Sequence, residues 1–344
     1  MMFKSLINRV ALLGALLYMG CTETGNIEVI KLGHGLDTTH PVHQAMVFMQ
    51  QRLDSLSNGA LKIQIYPSQQ LGTERQLLEL LQLGSIGMTK VASAVLEGFA
   101  PEYKVLSLPY LFRDDPHRHA ALSGPAGRKI LLSSEPYWLR GLAYYDAGTR
   151  SFYTTDQPIY SPSDLEGLKI RTLESATQVR MVNSLGASAT PIAWGEIYTS
   201  LQQGVVDGAE NNPPSFYTSR HYEVSSYYSL DEHTGLPDVV LISTIIWNQL
   251  TPQQKQWVQQ AADESAEYQK ILWKAATDEA LQKVQEAGVE IIYPDKTPFA
   301  ERVAHLYEEY RDIPEIYSLI EEIRSTTTPC DSVSDCSTTD FSAQ

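Results

Sequence analysis

Residues 168–203 read LKIRTLESATQVRMVNSLGASATPIAWGEIYTSLQQ, and this stretch sets the expected fold. Residues 168–171 have the short, partly apolar character of a strand, and 175–185 carry apolar residues at helical spacing. Residues 187–191 return to strand and 196–203 to helix. Strands alternating with helices of this length predict βα units and an α/β fold with largely parallel sheets.

Working outward, the same rhythm fills the first half of the chain. Residues 27–33, 61–66, 85–91 and 139–145 read as strands, 41–56 as a helix, and 73–83 as a helix with a capping signal at its start. At 344 residues a single small core is not expected, and two such series predict two lobes. One further helix stands apart. Thr251 is a good N-cap with Pro252 at the first helical position, and no Gly or Pro follows until Gly288. Unbroken, that segment would reach roughly 50 Å at 1.5 Å per residue. Its apolar positions, among them Trp257, Val258, Ala261, Trp273, Ala280 and Val284, wander around the helix. This fits an element laid across both lobes; a break near its middle is the plainer alternative.

Lys and Arg number 26 against 41 Asp and Glu, a formal charge of −15, which argues against a nucleic-acid binder. The first twenty-one residues suggest export. Lys4 and Arg9 precede an apolar run over 10–19, too short to span a bilayer, and Gly20-Cys21 follows at once. The pattern is that of a bacterial lipoprotein signal over 1–20 with Cys21 lipidated, and a plain secretory signal is the alternative. Losing Lys4 and Arg9 with the leader takes the mature chain from −15 to −17. Cys330 and Cys336 then lie in a Ser/Thr-rich tail, 325–344, that reads as disordered. A small local disulfide fits them better than a metal site, because no His is near.

Enzyme motifs are lacking in the sequence. It shows no G-x-S-x-G elbow, no H-E-x-x-H pair, no P-loop and no dinucleotide fingerprint. What stands out is charge in strand-like context. Arg150 follows the strand 139–145, Arg171 ends the strand 168–171, and Asn211 follows the Gly-containing turn at 206–210. The carboxyl ends of strands are where α/β folds bind ligands, and a guanidinium fork suits a carboxylate. Either arginine alone is better read as a strand-end residue paired with a nearby acid, and it is the two together, with Asn211, that favour a ligand site.

These residues sit in a longer pattern. Gly148-Thr149-Arg150, Ser163-Asp164-Leu165-Glu166-Gly167-Leu168-Lys169-Ile170-Arg171, Gly186-Ala187, Pro191 and residues 201–211 recur together with His40-Pro41, Tyr66-Pro67 and residues 108–114. Trp247 with Leu250-Thr251-Pro252 fits as well. The chain is thereby similar, over nearly all of 27–320, to the solute-binding proteins of tripartite ATP-independent periplasmic (TRAP) transporters. That resemblance implies a two-lobe periplasmic binding-protein fold with discontinuous lobes and a long helix crossing both. Lobe I would be 27–149 plus about 238–270, and lobe II 150–237 plus about 271–324. It also implies a periplasmic address and capture of an organic acid in the cleft for a TRAP membrane permease. No cofactor or metal, no nucleic acid and no membrane contact beyond the lipid anchor are expected.

Carried over, Arg171 matches the carboxylate-binding arginine, Arg150 an assisting arginine, and Asn211 the amide completing the clamp. Glu74, at a helix start, matches a frequent polar contact, though a capping carboxylate is an equal reading. Lys90 interrupts an apolar run, where an unpaired Lys is costly. It is expected to pair with Glu74 across the cleft or to contact ligand hydroxyls. His34 and His40 are placed at the cleft mouth and His233 after the strand at 227–228, though a lone histidine is more often structural than a ligand contact. Trp194 and Tyr145 are candidates for stacking on a sugar ring, with core packing the plainer reading. Residues 88–91, 144–153 and 231–233 with Pro237 are similar to the branch that binds hexuronates such as D-glucuronate and D-galacturonate. Sialic acid, aldonates and C4 dicarboxylates stay open as ligands, as does a sensor partner in place of a permease. An enzyme acting on uronic acids through Glu210 and Asp207 is the competing class.

Overall fold

The computed structural model describes residues 28–328; the leader, Cys21, Cys330, Cys336 and most of the tail lie outside the described residues. Two mixed sheets organise the chain. The first has the order β2-β1-β3-β10-β4, from β1 (Glu28–Gly33), β2 (Leu61–Tyr66), β3 (Met88–Ala92), β4 (Leu139–Tyr145) and β10 (Asp238–Ser243). The second has the order β11-β9-β5-β8-β6-β7, from β5 (Arg150–Thr154), β6 (Lys169–Thr172), β7 (Ser188–Pro191), β8 (Gly208–Asn211), β9 (Tyr227–Thr234) and β11 (Glu290–Ile292).

The stretch quoted above is one edge of the second sheet. β6 and β7 run parallel with Arg171 opposite Thr190, joined by the helix Ala176–Leu185. Ser175 caps that helix, its hydroxyl accepting from Gln178 N at 3.1 Å, and Gly186 ends it in the left-handed conformation. The sheets are largely parallel as expected, with one strand in each running the other way. β10 pairs antiparallel with β3 and β4, and β5 antiparallel with β8 and β9. Both strands enter their sheet from the other lobe, through residues 146–149 and 235–237, and so arrive running against their neighbours.

The helix Pro252–Glu286 is a single run of 35 residues, without the break weighed as an alternative. Thr251 caps it reciprocally with Gln254. Its first half buries Val258, Ala261, Ala262 and Ala266 with Met46, Met49 and Leu142 of the first lobe. Near its end Val284 is buried with Tyr153, Val206 and Tyr228 of the second. The wandering apolar positions record that change of neighbours. One boundary differs from expectation. The helix Pro314–Arg324, placed by sequence with lobe II, buries Ile316, Leu319, Ile320 and Ile323 among Leu77, Leu106 and Ile130 of lobe I. Among the described residues no helix is long and apolar enough to cross a membrane.

Candidate functional site

The antiparallel entry of β5 and β10 decides what faces the cleft. Ser151 of β5 pairs with Asn211, the last residue of β8, and Arg171 of the parallel β6 pairs with Ala209. The amino end of β5 therefore lies at the carboxyl edge of β6 and β8. Arg150 opens β5 rather than closing a strand, a correction to the sequence reading, yet it arrives at the same edge as Arg171 and Asn211. In the first lobe Asp238 opens β10 opposite Ala92, beside Lys90 of β3, and Glu74 begins the helix Glu74–Gln82. Between these edges lies a cleft lined from both lobes, by Glu74, Lys90 and Asp238 on one side and Arg171, Trp194 and Asn211 on the other. Gly195 and Gln69 meet across the lobes: a Cβ on Gly195 would stand 2.2 Å from Gln69 Oε1.

In the second lobe the two arginines have different tasks. Arg150 is buried and its fork is occupied: Nη1 donates to Asn211 Oδ1 at 2.9 Å, Nη2 to Glu210 O at 2.8 Å and Oε1 at 3.0 Å, and Nε to Glu210 Oε2. Behind Glu210 stands His233, its Nε2 3.6 Å from Glu210 Oε2, too long for a hydrogen bond but close for an ion pair. Its Nδ1 lies 2.9 Å from Asp231 Oδ2. Burial alone would lower the His233 pKa, but the flanking Asp231 and Glu210 hold it up at about 9. Burial would likewise raise Glu210, but Arg150 and His233 hold it near 2. Arg150, Glu210, His233 and Asp231 thus form an alternating buried row of charges. Arg171 is not part of it. Its Nε donates to Ile192 O at 2.9 Å, while its buried Nη1 has no partner among the described residues. Burial draws its pKa down to about 10, so it remains a cation at neutral pH.

The first-lobe wall has the opposite sign. Lys90 Nζ is 2.9 Å from Asp238 Oδ2 and 3.4 Å from Glu74 Oε1, and Glu74 Oε1 also accepts from Ala92 N at 3.3 Å. The expected Lys90–Glu74 pair exists, but both residues belong to one wall and do not span the cleft. Burial raises the Glu74 pKa, with Lys90 acting against it. Asp238, missed in the sequence, carried the same signal that flagged Lys90: a lone charge heading an apolar run, Val239-Val240-Leu241-Ile242.

The histidines do not line the cleft, whereas Trp194 does. His34 Nδ1 accepts from Leu36 N, and its Nε2–H donates to His43 Nδ1 at 3.0 Å. Burial, aided by His43, lowers its pKa to about 3. His40 caps the helix Pro41–Leu56 through Nδ1 and donates from Nε2 to Ser215 Oγ at 3.1 Å, joining the lobes. A histidine with both nitrogens engaged by protein is a structural part, and sequence position alone does not say which face it takes. Tyr145, also a stacking candidate, is buried with its hydroxyl 2.7 Å from Ser265 Oγ. Among the described residues no cluster of His, Cys, Asp and Glu is fit to hold a metal ion.

Residues 32–312 match the family DctP, bacterial extracellular solute-binding protein, family 7. The chain belongs to this family. As a DctP protein it is a transport solute-binding protein and not an enzyme. Glu210 is spent on Arg150, and Asp207 Oδ2 accepts from Lys169 N at 2.7 Å in a turn. An uncharacterised protein of Salmonella typhimurium, YiiZ, is 37% identical over 92% of this chain and 96% of its own length. A TRAP periplasmic solute-binding protein of Xanthobacter autotrophicus, solved with β-D-galacturonate, is 38% identical with a TM-score of 0.84, covering 87% of this chain and 100% of the other. One from Anaerococcus prevotii, solved with D-glucuronate, is 36% identical with a TM-score of 0.84, covering 86% and 97%. The DctP assignment makes the chain extracytoplasmic and the expected two-lobe α/β fold its established architecture.

Proposed function

We propose that this chain captures a hexuronate, D-galacturonate or D-glucuronate, and delivers it to a TRAP permease. The observation that carries the reading is Arg171, a buried cation lining the cleft with Nη1 unpartnered among the described residues. A carboxylate is the group that satisfies a buried guanidinium by charge and geometry together. Asn211 and the backbone around it complete that end, and Arg150, already balanced by Glu210, shapes the clamp more than it charges it. Glu74 and Lys90 offer acceptor and donor to ring hydroxyls, and Trp194 offers a face to the ring. Two structural relatives above 35% identity that hold uronates support the ligand class. The charged leader and Gly20-Cys21 support export and a lipid anchor at Cys21, which would keep the loaded protein near its permease.

Calorimetry decides the ligand. We expect tight, single-site binding of galacturonate or glucuronate, and binding at least a hundredfold weaker for succinate and sialic acid. Arg171→Ala is expected to abolish measurable uronate binding while leaving the unliganded melting temperature within a few degrees. Near-normal affinity in that variant would refute the carboxylate anchor, and tight succinate binding without uronate binding would refute the ligand class.

A further inference from the structure

The two ends of the cleft are electrically unequal, and the inequality says what a ligand must lack. At the second-lobe end Arg150 and Glu210 cancel, leaving the cation of Arg171. At the first-lobe end Glu74 and Asp238 share one cation, Lys90, leaving a net negative charge among side chains no more than 16% exposed. Lys90 is shared between Asp238 at 2.9 Å and Glu74 at 3.4 Å: its third N–H can still meet a ligand hydroxyl, but its single charge is already outweighed by the two carboxylates. Asp238 cannot turn away freely, because it opens β10 in register with Ala92 and faces the cleft.

We propose that Asp238 and Glu74, sharing Lys90, make the first-lobe wall reject a second carboxylate, so that the cleft takes sugar acids with one carboxylate and excludes aldarates. The inference rests on Arg171 as the anchor for the first carboxylate. With that end fixed, galacturonate presents hydroxyls to the acidic wall, whose oxygens accept from them. Galactarate, with the same carbons and a second carboxylate at the far end, presents like charge to like charge in a desolvated place.

Isothermal calorimetry with D-galacturonate and galactarate at pH 7.5 tests this. Galactarate is expected to bind on the order of a hundredfold more weakly to the wild-type protein. Asp238→Asn and Glu74→Gln are each expected to narrow that ratio at least tenfold by gaining galactarate affinity. Any penalty from the open-chain shape of galactarate is common to all three proteins, so the change in ratio reads the charge. Glu74→Gln leaves the 2.9 Å Lys90–Asp238 pair in place and carries the test if Asp238→Asn does not fold. Equal affinities for the two acids in the wild type, or a ratio unmoved in the folded variants, would overturn the proposal. Absence of binding by any sugar acid would instead remove the Arg171 anchor, and the inference with it.

Discussion

The two walls of the cleft are built by one topological device and finished with opposite signs. Each sheet receives a strand from the other lobe, antiparallel to its neighbours, whose first residue lands at the carboxyl edge of the parallel strands. In the second lobe that residue is Arg150, and in the first it is Asp238. Each has an oppositely charged neighbour, Glu210 or Lys90. The remainder differs: Arg171 is left over on one side and Glu74 on the other. A protein of net charge −15 thereby offers an anion a local positive pole, and orients it by a negative pole opposite.

The lobes also differ in redundancy, and this gives the largest stability effect we predict. In the second lobe Glu210 is the carboxylate on Arg150 and also faces His233. Removing its charge leaves two buried cations short of their partner, which costs about 3–5 kcal/mol. In the first lobe Lys90 keeps Asp238 when Glu74 is neutralised, and the cost is expected at about 1 kcal/mol. Urea unfolding of Glu210→Gln and Glu74→Gln measures both. Equal losses would show that the two walls are energetically alike.

Alkaline pH should separate the lobes next. His233 titrates at about 9 in the folded chain against an ordinary 6.5, because Asp231 and Glu210 outweigh its burial. A raised pKa means that the folded state holds a proton the unfolded chain releases. Its contribution is full below about pH 6.5 and drains as pH rises through about 9. The loss amounts to about 3 kcal/mol at 1.36 kcal/mol per pH unit. The neutral histidines His34, His40 and His221 add no slope in that window, since burial lowers all three below 6.5. Lys90, raised above 10.5 by Asp238 and Glu74 against its burial, stays charged throughout. Stability from urea titrations should therefore fall between pH 6.5 and 9.5 in the wild type and stay flat in His233→Gln. A slope that survives in the variant would place the titrating group elsewhere.

These differences mark where the sequence was legible. Apolar periodicity located β2, β4 and the long helix within a residue or two, because those elements are held by the faces they bury. Lys90 announced itself as a charge inside an apolar run, and Arg171 as a charge at the end of a strand. Asp238 carried the same mark as Lys90 and went unread, because the lobe crossing placed at about 238 was not followed to the strand it opens. Strand direction was invisible for the same reason: β5 and β10 have ordinary strand patterns, and only their crossing makes them antiparallel. The helix Pro314–Arg324 shows the remaining limit. Its apolar stripe requires a partner but does not name one, and both lobes offer apolar surface.

The two crossings themselves should not be equivalent, and this is the smallest effect we predict. The first is tied to the long helix at both backbone groups of Asp146: its N–H donates to Gln269 Oε1 and its C=O accepts from Gln269 Nε2, both at 2.7 Å. Gly148 then turns the chain at φ +57°, where a Cβ would lie 3.0 Å from Nε1 of the buried Trp273. Gly148→Ala therefore meets both left-handed strain and a wall that cannot retreat, and should cost about 2 kcal/mol. Gly235, in the second crossing, lacks the left-handed conformation, and its Cβ would meet Phe112 Cδ2 at 3.1 Å. Phe112 is only partly buried and can give way, while the buried Arg118, with Cδ 3.3 Å from that Cβ, need yield only a few tenths of an ångström. Without left-handed strain Gly235→Ala should cost about 1 kcal/mol. Thermal melts of the two variants compare them directly. A Gly235→Ala loss equal to that of Gly148→Ala would mean that the second crossing is as tightly set as the first, and that closure of the lobes has no softer strand on which to turn.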